Sequence, residues 1–286
     1  MSVPCLITKS ASTAARVQTA MSYSLPPEIL DLIVDHLCDE LITLKACCVV
    51  SKSWAPRARK HLFARIQFHQ RDRPIESWMQ AFPHPSSSLA HHVRTLSFSA
   101  KCTSILARPD VRCWIRTFQH VENLDMEILG YNYLYHGVSL VQLHGFSPTL
   151  KSLILGYTSV SFQEVFNLIC SFPLLEDLGL ISYAPTQPHT SEWNPPPTSP
   201  KLTGTLEIRD KLRSVARRLC DLPGGLHFSK IRLSCWEEEP TSAMDLVSRC
   251  SDTLESLAVT CYSTSAFVSV SVISQHLTTV YERRHV

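Results

Sequence analysis

The chain has 286 residues, 44% of them apolar and 18% charged, with a net charge of +2 and a pI near 8.0. That leaves enough apolar material for one or two domain cores, and too little charge for a generally disordered chain or for the basic footprint of a nucleic-acid binder. The longest uninterrupted apolar run, Ala46 to Val50, is far short of the roughly 20 residues that cross a bilayer, and the 8 glycines disfavour folds built on Gly-rich phosphate loops. The 11 cysteines are odd in number and contain no CxxC pair. They read as small buried hydrophobes of a protein kept in a reducing compartment, cytoplasmic and/or nuclear.

Residues 1–22 are rich in Ser, Ala and Thr and contain no acid. They read as a disordered leader, with a faint likeness to a transit peptide. Met21 stands as an alternative start to Met1.

Structure begins at Ser24-Leu25-Pro26-Pro27-Glu28-Ile29-Leu30-Asp31. Prolines suit a helix's first turn, and Glu28 and Asp31 suit the positive end of its dipole. Ile29, Leu30, Ile33, Val34 and Leu37 follow at helical spacing. A second helical run passes through Leu44, Ala46, Cys47, Cys48 and Val50 into Ser51-Lys52-Ser53-Trp54, and a third ends at His61-Leu62-Phe63. Three helices in some 40 residues cannot cover all their own apolar faces, so the stripe requires either the rest of the chain or a partner.

The segments LPPEILDLIVDHL, LITLKACCVVSKSW and HLFARI together resemble an F-box, here residues 23–66, with Ser51 where the family usually has Cys. The likeness is greatest to F-box proteins of mushroom-forming fungi. It implies docking on the Skp-type adaptor of a cullin–RING ubiquitin ligase. The implied adaptor-binding residues are Leu25, Pro26, Ile29, Leu30, Ile33, Leu37, Leu44, Val50 and Trp54. Val50 and Trp54 serve the module's own core as readily as the interface.

A helical linker is expected over 67–92, and a repeat array over 93–286. The pattern apolar-x-x-apolar-x-apolar recurs with its fourth position at Leu96, Leu124, Leu153, Leu178, Leu206, Ile231 and Leu257, in steps of 28, 29, 25, 28, 25 and 26. Each match reads as a strand with one buried face. Helical signals fall between strands: Val111, Trp114, Ile115 and Phe118; a capping box at Ser161 to Glu164 before Val165, Phe166, Leu168, Ile169 and Phe172; and Leu212, Val215, Ala216, Leu219 and Cys220. The period resembles that of divergent leucine-rich repeats, without the family's Asn or Cys ladder, and implies a solenoid. An ordinary α/β domain is the rival architecture. The fold class expected is therefore α/β: a three-helix F-box followed by an irregular leucine-rich-repeat solenoid.

The Pro-rich stretch 184–201 cannot be a helix and reads as a loop replacing one repeat's helix. Phe267 to Val272 alternates like a strand, whereas Ile273 to Tyr281 is compatible with a helix. Whether the array is whole at its C-terminus stays open.

Catalytic signatures are missing: no GxSxG, HExxH, P-loop or GxGxxG occurs. No enzyme activity, cofactor or metal is expected. His91-His92 reads as a polar turn, Glu237-Glu238-Glu239 as a solvated loop, and Arg213, Arg217 and Arg218 as an outer helix face. Ligand recognition falls instead to side chains between the buried leucines: Arg94, Asp125, Glu127, Tyr157, Asp177, Glu207, Arg209, Lys230, Arg232 and Glu255. Asp125, Glu127, Tyr157, Glu207, Arg209 and Arg232 are the candidate target-binding residues. A column of mixed sign suits an as yet unidentified protein partner, with no nucleic acid or membrane involved. The resemblance thus implies the substrate-recognition subunit of an SCF-type ligase; the alternative is a binding scaffold acting outside a ligase.

Overall fold

The computed structural model describes residues 25–68, 74–84, 90–99, 106, 108–127, 143–144, 146–156, 161–181, 197–209, 212–236, 240–262, 267–273 and 278–284. The 1–22 leader and the Glu237–Glu239 run lie outside these residues, as does most of the Pro-rich loop.

The described residues start with three short helices, α1 (Pro27–His36), α2 (Leu41–Val50) and α3 (Ala55–Leu62). Pro27 occupies the first turn of α1 and Glu28 follows it, as the capping chemistry requires. The helices share a small core of Val34, Leu44, Cys47 and Ala58, with Leu37, Cys48, Trp54 and Leu62 packed on it. Asp35 ties α1 to α3: its carboxylate accepts both ends of the Arg57 guanidinium and lies 2.7 Å from His61 Nε2. Those donors hold the Asp35 carboxyl well below the usual carboxylate range, the Arg57 hydrogen bond first among them.

The rest of the described chain is one mixed α/β unit. Strands β1 (Arg65–Phe68), β2 (Thr95–Phe98), β3 (Asn123–Glu127), β4 (Ser152–Gly156), β5 (Asp177–Ile181), β6 (Thr205–Arg209), β7 (Lys230–Trp236) and β8 (Ser256–Tyr262) are parallel and lie side by side in chain order. The sheet is open, and β9 (Phe267–Ile273) and β10 (Thr278–Arg284) extend it antiparallel. Between strands come α4 (Ile75–Ala81), α5 (Pro109–Ile115), α6 (Phe162–Cys170), α7 (Leu212–Cys220) and α8 (Pro240–Arg249). Parallel crossovers are right-handed, and this strand order never reverses. The helices described between the strands therefore fall on one face of the sheet, and no described helix lies on the other, open face.

Register shows the repeat directly. Ile66, Leu96, Leu124, Leu153, Leu178, Leu206, Ile231 and Leu257 stand opposite one another across the parallel strands. All but Leu257 are buried. The backbone just before the strands repeats too. Ala64 O accepts from Arg94 N and Thr95 N, Arg94 O from Glu122 N and Asn123 N, and Glu122 O from Lys151 N and Ser152 N. Lys151 O takes Glu176 N and Asp177 N, and Ser229 O takes Glu255 N and Ser256 N. Except between β5 and β6, where Glu176 O accepts from Gly204 N alone, each unit thus hands one carbonyl to two amides of the next, so its backbone is satisfied by its neighbour rather than within itself.

Two features differ from the sequence expectations. The sheet begins at β1, ahead of the expected array and partly inside the segment read as helical module. Residues 278–284 form a strand, not a helix, because Thr278 to Arg284 pair along the whole length of β9, and Thr278, Thr279, Val280 and Tyr281 favour strands. No helix occurs among the described residues between β5 and β6, yet Leu178 still pairs with Leu206, as the unbroken period required. The capping box is present as read: Ser161 Oγ accepts from Glu164 N at 3.2 Å and Glu164 Oε2 accepts from Ser161 N at 3.2 Å.

Candidate functional site

The first candidate surface is on the helical module. A four-residue core leaves much of the apolar surface of α1 and α2 uncovered. On α1 and just before it, Leu25, Pro26, Ile29, Leu32 and Ile33 are exposed. On α2, Leu41 and Val50 are exposed, and Ile42 and Val49 reach 86% and 88%. Such values for β-branched aliphatic side chains cost solvation free energy that a partner's apolar surface recovers, at about 25 cal/mol per Å² covered. Charged Glu28, Asp31, Asp39, Glu40, Lys45 and Lys52 are exposed on the same helices and around them.

Of the residues singled out in sequence, Leu25, Pro26, Ile29, Ile33 and Val50 are exposed and Leu30 is half-buried. Leu37 and Trp54 are half-buried and pack on the small core. Leu44 is corrected: it is fully buried at the centre of that core and offers nothing to a partner. Leu32, Leu41, Ile42 and Val49 were missed. For Leu41, Ile42 and Val49 the signal was the sequence of α2 itself, LITLKACCVV, rich in apolar residues all round while only one side can face its two short neighbours.

The second candidate surface is the open face of the sheet. Ser97, Asp125, Ile154, Gly179, Glu207, Arg232 and Ala258 form one row across neighbouring strands. Three of the predicted target-binding residues, Asp125, Glu207 and Arg232, therefore share a row. Asp125 is half-buried and accepts from Ser97 Oγ at 3.4 Å. Arg209 donates to Glu207 Oε1 through Nε at 2.8 Å, with Nη2 at 2.6 Å. Lys230 and Arg232 are exposed on β7. The backbone of Glu127 pairs with that of Gly156, but its side chain, and Tyr157 altogether, lie outside the described residues. Asp177 is anchored, its Oδ1 accepting from Thr205 N at 2.5 Å.

Arg94 and Glu255 are corrected. Both precede their strands instead of lying on the face. The Arg94 guanidinium donates to His91 O at 3.0 Å and stands 3.4 Å from Glu122 Oε1, and Glu122 in turn stands 3.7 Å from Lys151. These charges tie successive turns together.

The remaining chemistry-bearing groups are quiet. Burial pushes the Cys170 thiol up to about 11 and raises those of Cys220 and Cys250, so none of the three is a ready thiolate. His91 and His92 lie with ring centroids 3.7 Å apart and planes tilted by 48°. Among the described residues no three His, Cys, Asp or Glu side chains gather as a metal site. Arg218 is corrected from a solvent-facing residue: its guanidinium lies 4.4 Å from the centre of the Phe162 ring. Among the described residues no helix is long and apolar enough to cross a membrane.

No family model, curated protein or solved structure matches this chain. The functional case consequently rests on the two surfaces and on the F-box-like residues of the first.

Proposed function

We propose that this protein is a non-catalytic receptor subunit of an SCF-type ubiquitin ligase. The helical module docks the Skp-type adaptor, and the open sheet face holds a target protein. The observation that carries this reading is the exposure of Leu25, Ile29, Leu32 and Ile33 on α1 together with Ile42, Val49 and Val50 on α2, in a segment that resembles an F-box. The repeat array is read as a divergent leucine-rich-repeat solenoid.

The mechanism is proximity. Tethering target and ubiquitin-loaded enzyme to one scaffold raises the effective concentration of acceptor lysines without any catalytic residue from this chain. A stiff connection serves that role, and α3 runs almost directly into β1, with Phe63 packed edge-on against Trp78 and Phe82 at 6.4 and 5.8 Å.

The test is co-purification of the full chain with a Skp-type adaptor. Combined Leu25→Ala, Pro26→Ala and Ile29→Ala substitutions are expected to abolish capture, each hot-spot side chain contributing about 1–2 kcal/mol. Undiminished capture refutes the reading. Adaptor complexes that exclude the cullin would favour the scaffold alternative.

A further inference from the structure

We propose that the β6–β7 part of the open face docks an extended acidic segment of the target, with carboxylates on alternate residues. This rests on the reading of the open face as the target surface and specifies its ligand. Where β6 and β7 pair, the residues on that face are Thr205, Glu207, Arg209, Lys230, Arg232 and Ser234. The single acid is already occupied, since Glu207 takes two guanidinium nitrogens of Arg209. Lys230 and Arg232 are exposed, and neither forms an ion pair among the described residues. The next strand adds no charge to the face: Ser256, Ala258 and Thr260 stand opposite Lys230, Arg232 and Ser234. Among the described residues, two cations without an ion pair therefore sit beside small and hydroxyl side chains that leave them open.

Geometry selects the ligand. Lys230 and Arg232 are two residues apart on one strand, so their Cα atoms are separated by about 6.6 Å. An extended peptide presents side chains i and i+2 on one side at the same spacing, so alternate carboxylates meet the two cations one to one. The acids of the neighbouring strands, Asp125 and Asp177, repel such a segment from β3–β5 and confine it to β6–β7. A nucleic acid is a poor match, because two free cations supply little of the phosphate neutralisation that drives such binding.

The experiment uses the full chain and four fluorescein-labelled peptides: Gly-Glu-Val-Glu-Val-Glu-Gly, its isomer Gly-Glu-Glu-Val-Val-Glu-Gly, in which no two carboxylates are two residues apart, its lysine counterpart Gly-Lys-Val-Lys-Val-Lys-Gly, and a Gly/Val peptide with one phosphoserine. Fluorescence anisotropy is expected to rank the alternating peptide first, with binding that weakens as salt is raised. Lys230→Ala and Arg232→Ala should each weaken it about tenfold, whereas Arg116→Ala, an exposed cation on another surface, should not. Lys230→Glu/Arg232→Glu should transfer the preference to the lysine counterpart of the peptide. Circular dichroism confirms that the variants are folded, which exposed positions favour. No binding by any peptide, equal binding of the two glutamate isomers, tighter binding of the phosphoserine peptide, or indifference to the Lys230 and Arg232 substitutions each overturns the proposal. Adaptor capture by the same preparations separates the two claims: captured adaptor without peptide binding sinks this inference alone, and peptide binding without adaptor sinks the ligase reading alone.

Discussion

The carboxylate of Asp35 on α1 and the guanidinium of Arg57 on α3 form a two-point ion pair across the helical module. In a unit whose core is four side chains, this contact fixes the crossing of α1 against α3. The carboxyl is held below its ordinary value by the Arg57 hydrogen bond and then by His61. A carboxylate with a depressed folded-state pKa stabilises fully above its unfolded value, about 3.9, and loses that contribution as pH falls further. Asp35→Asn is therefore expected to lower the thermal midpoint at neutral pH, and its deficit relative to wild type should shrink below about pH 4. Thermal melts of both proteins from neutral pH down to about pH 3 check this; a deficit that is constant with pH would show that the charge is idle.

Leu178 lies between Leu153 and Leu206 in the buried column. β5 pairs only with β4 and β6, so a cavity at this position weakens the packing on both sides. Leu178→Ala should cost about 2–5 kcal/mol in urea unfolding. A loss no greater than that of the exposed Arg116→Ala would mean that the column is not the core.

Much of this column could be read from the chain because a strand with one buried face alternates visibly, and seven positions recur at nearly even spacing. β1 escaped notice because Ile66 and Phe68 are its only core residues and Ala64-Arg65-Ile66 also completes a helical-module pattern. β10 was ambiguous because Ile273, Leu277, Val280 and Tyr281 satisfy helical spacing, and only pairing with β9 decides the matter. The open-face row was legible from alternation, but the anchoring of Asp177 was not. It depends on the contact between Asp177 and the backbone at Thr205, 28 residues away.

That anchor has a second participant. A Cβ added at Gly204 would run into the Asp177 carboxyl group and come within 3.2 Å of Glu176 O. Gly204→Ala should displace Asp177 from Thr205 N and cost about 1–3 kcal/mol. Asp177→Ala strips the same hydrogen bond, so the double variant should cost clearly less than the sum of the singles. Additive losses in a double-mutant cycle would separate the two sites.

The sharpest division in the helical module runs through α2. Ile42 and Val49 face outward at 86% and 88% exposure, while Leu44 between them is fully buried. Ile42→Asp/Val49→Asp removes no internal contact of consequence, so stability should change by less than about 0.5 kcal/mol per site. Leu44→Ala opens a cavity in a core that has little else to hold it, and should cost about 2–5 kcal/mol. Both variants should lose the adaptor, for different reasons: the first by burying charge at the interface without a partner, the second by loosening the helices that present it. Urea unfolding alongside adaptor capture tells them apart. A folded Ile42→Asp/Val49→Asp protein that still binds the adaptor would remove α2 from the interface and confine docking to the exposed residues of α1.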